Sequence, residues 1–108
     1  MKSLTRKEEL IMLSIINLEK EAYLVAIVDH LSKITCKKVS LTSVHLPLGR
    51  LEKAGLIESC FGESTAIRGG RRKKIYKITK RGYQLLAEHK RISDMLWGNQ
   101  TKFSARED

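Results

Sequence analysis

The 108-residue sequence contains one proline, two cysteines, one tryptophan and few aromatics, and its 12 acidic residues are outnumbered by 21 Lys and Arg. Each scarcity closes a route. No run of eighteen apolar residues occurs, so no membrane-spanning helix is expected. The start, MKSLTRKEEL, passes directly into a charged helical pattern without the apolar core of a signal peptide, which makes the cytoplasm the expected location. Cys36 and Cys60 lie in patterned segments and suit buried free thiols in a reducing compartment better than a disulfide. His30, His45 and His89 have no metal-ligand spacing with one another or with the cysteines, so neither a metal nor another cofactor is expected. GESTAIRGGRRKK looks like a phosphate-binding loop, but six residues separate Gly62 from Gly69 and no Gly-Lys-Ser/Thr follows. Nothing in these patterns specifies an enzyme.

Positive charge is what the chain has in excess. A formal net charge of +9 suits a polyanionic partner, either nucleic acid or an anionic membrane surface. It is concentrated in IRGGRRKKIYKITKRG, residues 67–82, which holds eight Lys or Arg and no acid. Ile75, Tyr76 and Ile78 interrupt this run, and a solvated basic tail has no use for them. They suit a half-buried strand that would hold the cations in place. With 42% hydrophobic residues the chain can bury one small core, so a single domain is expected.

The apolar pattern divides into six elements. Thr5 and Glu8 have capping-box spacing, and Leu10, Ile11, Leu13, Ile15, Ile16 and Leu18 then give a first helix ending near Asn17. Its apolar surface is broader than one core seam needs, which points to a second copy of the chain. Leu24, Ile27, Val28, Leu31 and Ile34 mark a second helix from about Ala22 to Ile34. In KKVSLTSVHLPLGRLEKAGLI, either Ser40 or Thr42 caps a third helix, with Val44, Leu48 and Leu51 on one side and Gly55 as left-handed C-cap. Ser43, Leu46, Pro47 and Arg50 fall on or near the opposite side. Pro47 implies either a distorted first turn or a start later than Ser40. GLIESCF and KKIYKIT read as antiparallel strands around the turn-rich GESTAIRGG, and Thr79 caps a last helix through KRGYQLLAEHKRISDMLW. The predicted class is mainly α with a small β-hairpin: a winged helix-turn-helix with a C-terminal dimerisation helix. Residues 1–97 form this domain, and 98–108 form a polar tail expected to be disordered.

The segments RLEKAGLIES and GGRRKKIYKITKRG resemble the PadR-like transcriptional regulators, and the likeness extends over most of residues 5–97. It rests on Arg50, Leu51 and Glu52; Gly55, Leu56 and Ile57; Gly69, Gly70, Arg71, Arg72 and Lys73; Tyr76; and Ile78, Thr79 and Gly82. Two departures stand out. His45 and Leu46 occupy the place where many relatives have Tyr-Pro, and the wing loop is longer than in compact members. The resemblance implies a short-branch regulator that dimerises through its terminal helices and acts as a repressor on double-stranded DNA, with no membrane partner.

On that reading the third helix enters the major groove. There Ser40, Thr42, Ser43, His45 and Pro47 would meet phosphates, base edges or thymine methyls, although Ser40 and Thr42 can equally serve as caps alone. Arg50, late in the helix, suits a phosphate contact or an intramolecular pair. Arg68, Arg71, Arg72, Lys73 and Lys74 on the wing suit phosphates or a minor groove. Leu10, Leu13, Leu85, Ile92 and Leu96 suit a homodimer seam, which would set two recognition helices roughly 34 Å apart on a pseudo-palindromic site. Trp97 is either a packing hydrophobe or, as some short members of the family imply, part of a site for a flat aromatic effector. The alternative function is an RNA-binding or protein-docking winged helix.

Overall fold

A computed structural model describes residues 3–62 and 73–98. Four helices and one hairpin follow in order: α1 Arg6–Leu18, α2 Leu24–Thr35, α3 Leu41–Lys53, β1 Ile57–Phe61, β2 Lys74–Ile78 and α4 Lys80–Trp97. The expected class is the observed one.

The start of α1 is fixed by a reciprocal cap. Thr5 Oγ1 accepts the Glu8 N–H at 3.1 Å, and Glu8 Oε1 accepts the Thr5 N–H at 2.9 Å. Ile11, Met12 and Ile15 are then buried. The helix stops at Leu18 because Glu19 turns to φ 51°, a left-handed value that costs a side-chain-bearing residue. A single 3-10 turn, Glu19–Glu21, follows.

The second helix starts later than its apolar spacing suggests. Ala22 and Tyr23 are not its first residues; they run beside the hairpin, with Tyr76 N–H donating to Ala22 O at 2.8 Å and Tyr23 bridging Ile75. The outer edge of β2 thereby finds backbone partners that the two-stranded hairpin alone would leave to solvent.

In α3 the later start does not occur: the helix begins directly after Ser40. Ser40 is the N-cap, its Oγ accepting the Ser43 N–H at 3.1 Å, and the helix runs through Pro47 to Lys53. An interior proline costs about 3 kcal/mol. Val44, Leu48 and Leu51 are all fully buried, and each contributes roughly 1.5–3 kcal/mol, so their burial outweighs that cost. Pro47 is buried as well, contrary to its expected place on the outward face.

The hairpin is antiparallel, with Ile57 opposite Ile78, Ser59 opposite Tyr76 and Phe61 opposite Lys74. Ile57 and Tyr76 face the core. Burial pushes the Tyr76 phenol above its ordinary range, and the neighbouring Lys74 cation partly offsets that rise.

The turn from α3 into β1 is pinned to the first turn of α4. Gly55 takes φ 77°, the Thr79 N–H donates to Leu56 O at 3.1 Å, and the Thr79 hydroxyl donates to Gly55 O at 2.8 Å. Thr79 Oγ1 also accepts the Gly82 N–H at 3.0 Å, closing the α4 cap. Gly82 lies so close that an added Cβ would overlap the Leu56 carbonyl oxygen and stand 3.1 Å from Ile78 Cγ2. Gly82→Ala should therefore lower stability by about 3 kcal/mol despite the better helix propensity of alanine. Urea unfolding measures this directly, and an unchanged midpoint would show that the contact is not close.

Candidate nucleic-acid interface

One side of α3 is packed and the other is open. Val44, Pro47, Leu48 and Leu51 point inward. Thr42, His45, Leu46, Gly49, Arg50 and Lys53 are exposed, and Ser43 is half-buried. Ser40 and Ser43 are occupied with each other: besides the cap, the Ser43 hydroxyl donates to Ser40 O at 2.8 Å. Of the expected base-reading residues, Thr42 and His45 stand outward with no side-chain hydrogen bond among the described residues, whereas Ser40 and Ser43 form the helix start. Pro47 is part of the core side, because the bulge-free helix turns it there with Val44 and Leu51.

The three consecutive residues Arg50, Leu51 and Glu52 face three different neighbours. Arg50 Nε stands 3.9 Å from Glu8 Oε2, whose carboxylate is almost wholly buried on α1. The arginine itself is 61% exposed, so the pair contributes little stability, yet it gives the buried carboxylate a counter-charge beside the Thr5 N–H. Leu51 fills the core. Glu52 Oε2 accepts the Ser59 hydroxyl at 2.6 Å, and Glu52 Oε1 lies 3.5 Å from Lys74 Nζ. Helix α3 is thus tied to α1 on one flank and to the hairpin on the other.

Arg68, Arg71 and Arg72 of the expected wing lie outside the described residues. Lys73 and Lys74 stand at the entry to β2. Lys73 Nζ sits 4.1 Å from the Tyr23 ring centroid, a contact that positions the ammonium without neutralising it. Lys74 is paired with Glu52 and lies 5.6 Å from the Tyr76 ring, so its charge is partly compensated inside the chain. Lys37 and Lys38, just before α3, are exposed too.

The expected dimer residues divide in two. Leu10 and Leu85 pack against the core of their own chain. Leu13, Ile92 and Leu96 are 40%, 46% and 63% exposed, and Tyr83 and Met95 are exposed beside them. A groove of about 430 Å³ runs between α1 and α4, lined by Leu13, Ile16, Tyr83 and Leu86 among others. Trp97, the last residue of α4, is 68% exposed and so is not a core residue of the single chain. Cys36 and Cys60 are free, as expected, but exposed rather than buried. Cys36 is turned out because it forms the left-handed end of α2, and Cys60 because it falls on the outer face of β1.

Sequence reasoning put Leu46 on the outward side without naming it as a DNA contact, and it left Gly49 out altogether. Leu46 is 57% exposed, and a Cβ placed on Gly49 would meet nothing within 4 Å. The signal was the spacing of Thr42, Leu46 and Gly49 by four and three residues; the helix start, ambiguous in sequence, obscured it.

Three core helices, an antiparallel hairpin and a fourth helix in this arrangement define a winged helix-turn-helix protein. The chain belongs to the PadR-like family of transcriptional regulators, whose family model matches residues 12–88. It is similar in structure to a PadR-like transcription factor from Bacteroides fragilis, with 27% identity, 91% of this chain and 92% of that one covered, and a TM-score of 0.69. A PadR family transcription regulator from Clostridium difficile R20291 shares 26% identity over 89% of this chain and 96% of its own, at a TM-score of 0.64. A PadR-like regulator from Bacillus cereus shares the fold at 24% identity, with 94% and 96% covered and a TM-score of 0.70. No curated protein matches the chain. No helix among the described residues is long and apolar enough to cross a membrane.

Glu52→Ala should lower stability by about 1 kcal/mol through loss of the Ser59 and Lys74 contacts. Urea denaturation with a midpoint equal to that of the parent protein would show that the link to the hairpin carries no stability.

Proposed function

We propose that the chain is a dimeric, sequence-specific regulator of transcription, acting in the cytoplasm as a repressor. It would place α3 in the major groove of double-stranded DNA and its basic wing on phosphates or in a minor groove. The observation that carries this reading is the open side of α3: its outward residues include no carboxylate, and its one half-buried acid, Glu52, is turned to the hairpin. A polyanion can approach that side without meeting like charge. The hairpin adds Lys73, held beside Tyr23 with its charge intact. Thr42 and His45 stand where base edges would lie, and Arg68, Arg71 and Arg72 belong to the wing by sequence. No further partner and no cofactor is needed for this chemistry; an aromatic effector at Trp97 has no supporting contact among the described residues.

Dimerisation follows from the uncovered apolar side chains. Leu13, Ile92, Leu96 and Trp97 would lose contact with water against a second copy, which would present the two α3 helices about 34 Å apart, one turn of duplex. At micromolar concentration the protein should sediment as a dimer, and Ile92→Glu combined with Leu96→Glu should give monomers that keep their helical circular dichroism. A parent protein that sediments as a monomer would overturn the dimer.

DNA binding is tested by fluorescence anisotropy on duplexes enriched from a random pool, with unrelated duplex and matched RNA as competitors. Affinity should fall steeply with salt, and Lys73→Ala should reduce the log-log salt slope by about 1. Equal competition by unrelated duplex would reduce the function to a non-specific basic surface. Preferential competition by RNA would establish the RNA-binding alternative instead.

A further inference from the structure

Thr42, Leu46, Gly49 and Lys53 are spaced by four, three and four residues, so they form a single strip along the outward side of α3. All four are exposed. The strip is chemically unusual for a helix expected to read DNA: its middle holds a leucine and a glycine, while its one cation comes at the C-terminal end. Arginine and lysine bound to guanine, or Asn and Gln bound to adenine, are the ordinary base readers, and none stands at the centre here.

A lone exposed leucine needs no special cause. Leu46 differs through its neighbours. Thr42 stands one turn before it, and Gly49 one turn after it leaves the helix backbone bare on that side, with open space where a side chain would be. Glycine inside a helix costs about 1 kcal/mol relative to alanine, and no packing among the described residues requires it at this position. A surface that must approach another body closely is one use for such a bare stretch. The nearest arginine, Arg50, has its Nε 3.9 Å from the Glu8 carboxylate on α1.

Resting on the DNA-binding reading above, we propose that Leu46 is a specificity-determining residue that contacts the 5-methyl group of thymine in the major groove, and that Gly49 lets α3 seat deeply enough for that contact. Thymine is the one unmodified base that offers an apolar group in the major groove, and an aliphatic side chain answers it where a hydrogen-bonding one would be left unpaired. Lys53, at the far end of the strip, meets the flanking phosphate. The discriminating contact is apolar, and the charged contacts around it carry no sequence information.

The test uses the full chain and a duplex enriched from a random pool. Each thymine of the enriched half-site is replaced in turn by deoxyuridine, which removes the methyl group alone. One or two replacements per half-site should weaken binding of the parent protein about fourfold each, the value of one buried methyl group. The same replacements should leave Leu46→Ala nearly unaffected, because the partner of the methyl is already gone. Gly49→Ala should raise the melting temperature and yet weaken the enriched duplex about tenfold, separating a DNA clash from damage to the fold. A flat deoxyuridine series for the parent protein, an enriched site without thymine, or a Leu46→Ala variant that keeps the parent's thymine pattern would each overturn the inference while leaving DNA binding intact. Enrichment of no duplex at all would overturn the DNA-binding reading and the inference with it.

Discussion

The structure turns on one close approach, that of the Gly82 backbone to the carbonyl oxygen of Leu56. Leu56 is where α3 gives way to β1, and Gly82 lies in the first turn of α4. Three elements with separate tasks therefore meet within a few residues. The Thr79 side chain fastens the same place twice, donating to Gly55 O and capping α4 through the Gly82 N–H. Any side chain at position 82 would push α4 off the turn and change the angle between α3 and α4. Glycine is required here for lack of space, while at Gly55 it answers the different demand of a positive φ.

From that junction the remaining geometry is set by weak but well-placed polar links. Arg50 reaches α1, Glu52 reaches the hairpin, and Leu51 between them is buried. None of these ion pairs is worth much alone, since their cations are largely exposed and screened. Their value is directional. In the proposed two-fold dimer on α1 and α4, a small rotation of α3 would be doubled across the axis and would spoil the half-site spacing. Linking α3 on both flanks resists such a rotation without adding bulk to its outward side.

Much of this was legible in the sequence because it depends on local rules. The capping box at Thr5 and Glu8, the cap at Thr79, the left-handed Gly55 and the apolar spacing of the helices each fix an element by neighbours within a turn. What escaped depends on partners distant in the chain. Ala22 and Tyr23 fit a helical pattern, yet they serve the edge of β2, more than fifty residues away. Pro47 looked like a boundary because the cost of a proline is visible in sequence, whereas the three fully buried side chains that outweigh it become evident only in the packed helix. Its burial removes it from the outward side, where Leu46 stays and Gly49 joins it. The exposure of Cys36 and Cys60 was missed for a similar reason: a patterned segment has an outer side as well as an inner one.

The division of labour between charge and shape follows from where each lies. On the proposed reading, the cations that meet phosphate sit at the margins: Lys73 beside Tyr23, Lys53 at the end of α3, and Lys37 and Lys38 ahead of it. Phosphate contacts act on any duplex, so they raise specific and non-specific affinity together and fade together as salt rises. The centre of the α3 strip carries no charge, and its contribution has no counterions to release. Salt would therefore change how tightly the protein holds DNA far more than how well it tells one sequence from another. A reader that relied on a central arginine would lose both at once. Here the arginine of α3 has Glu8 of α1 within 3.9 Å, and on the proposed reading discrimination would be left to side chains that salt does not screen.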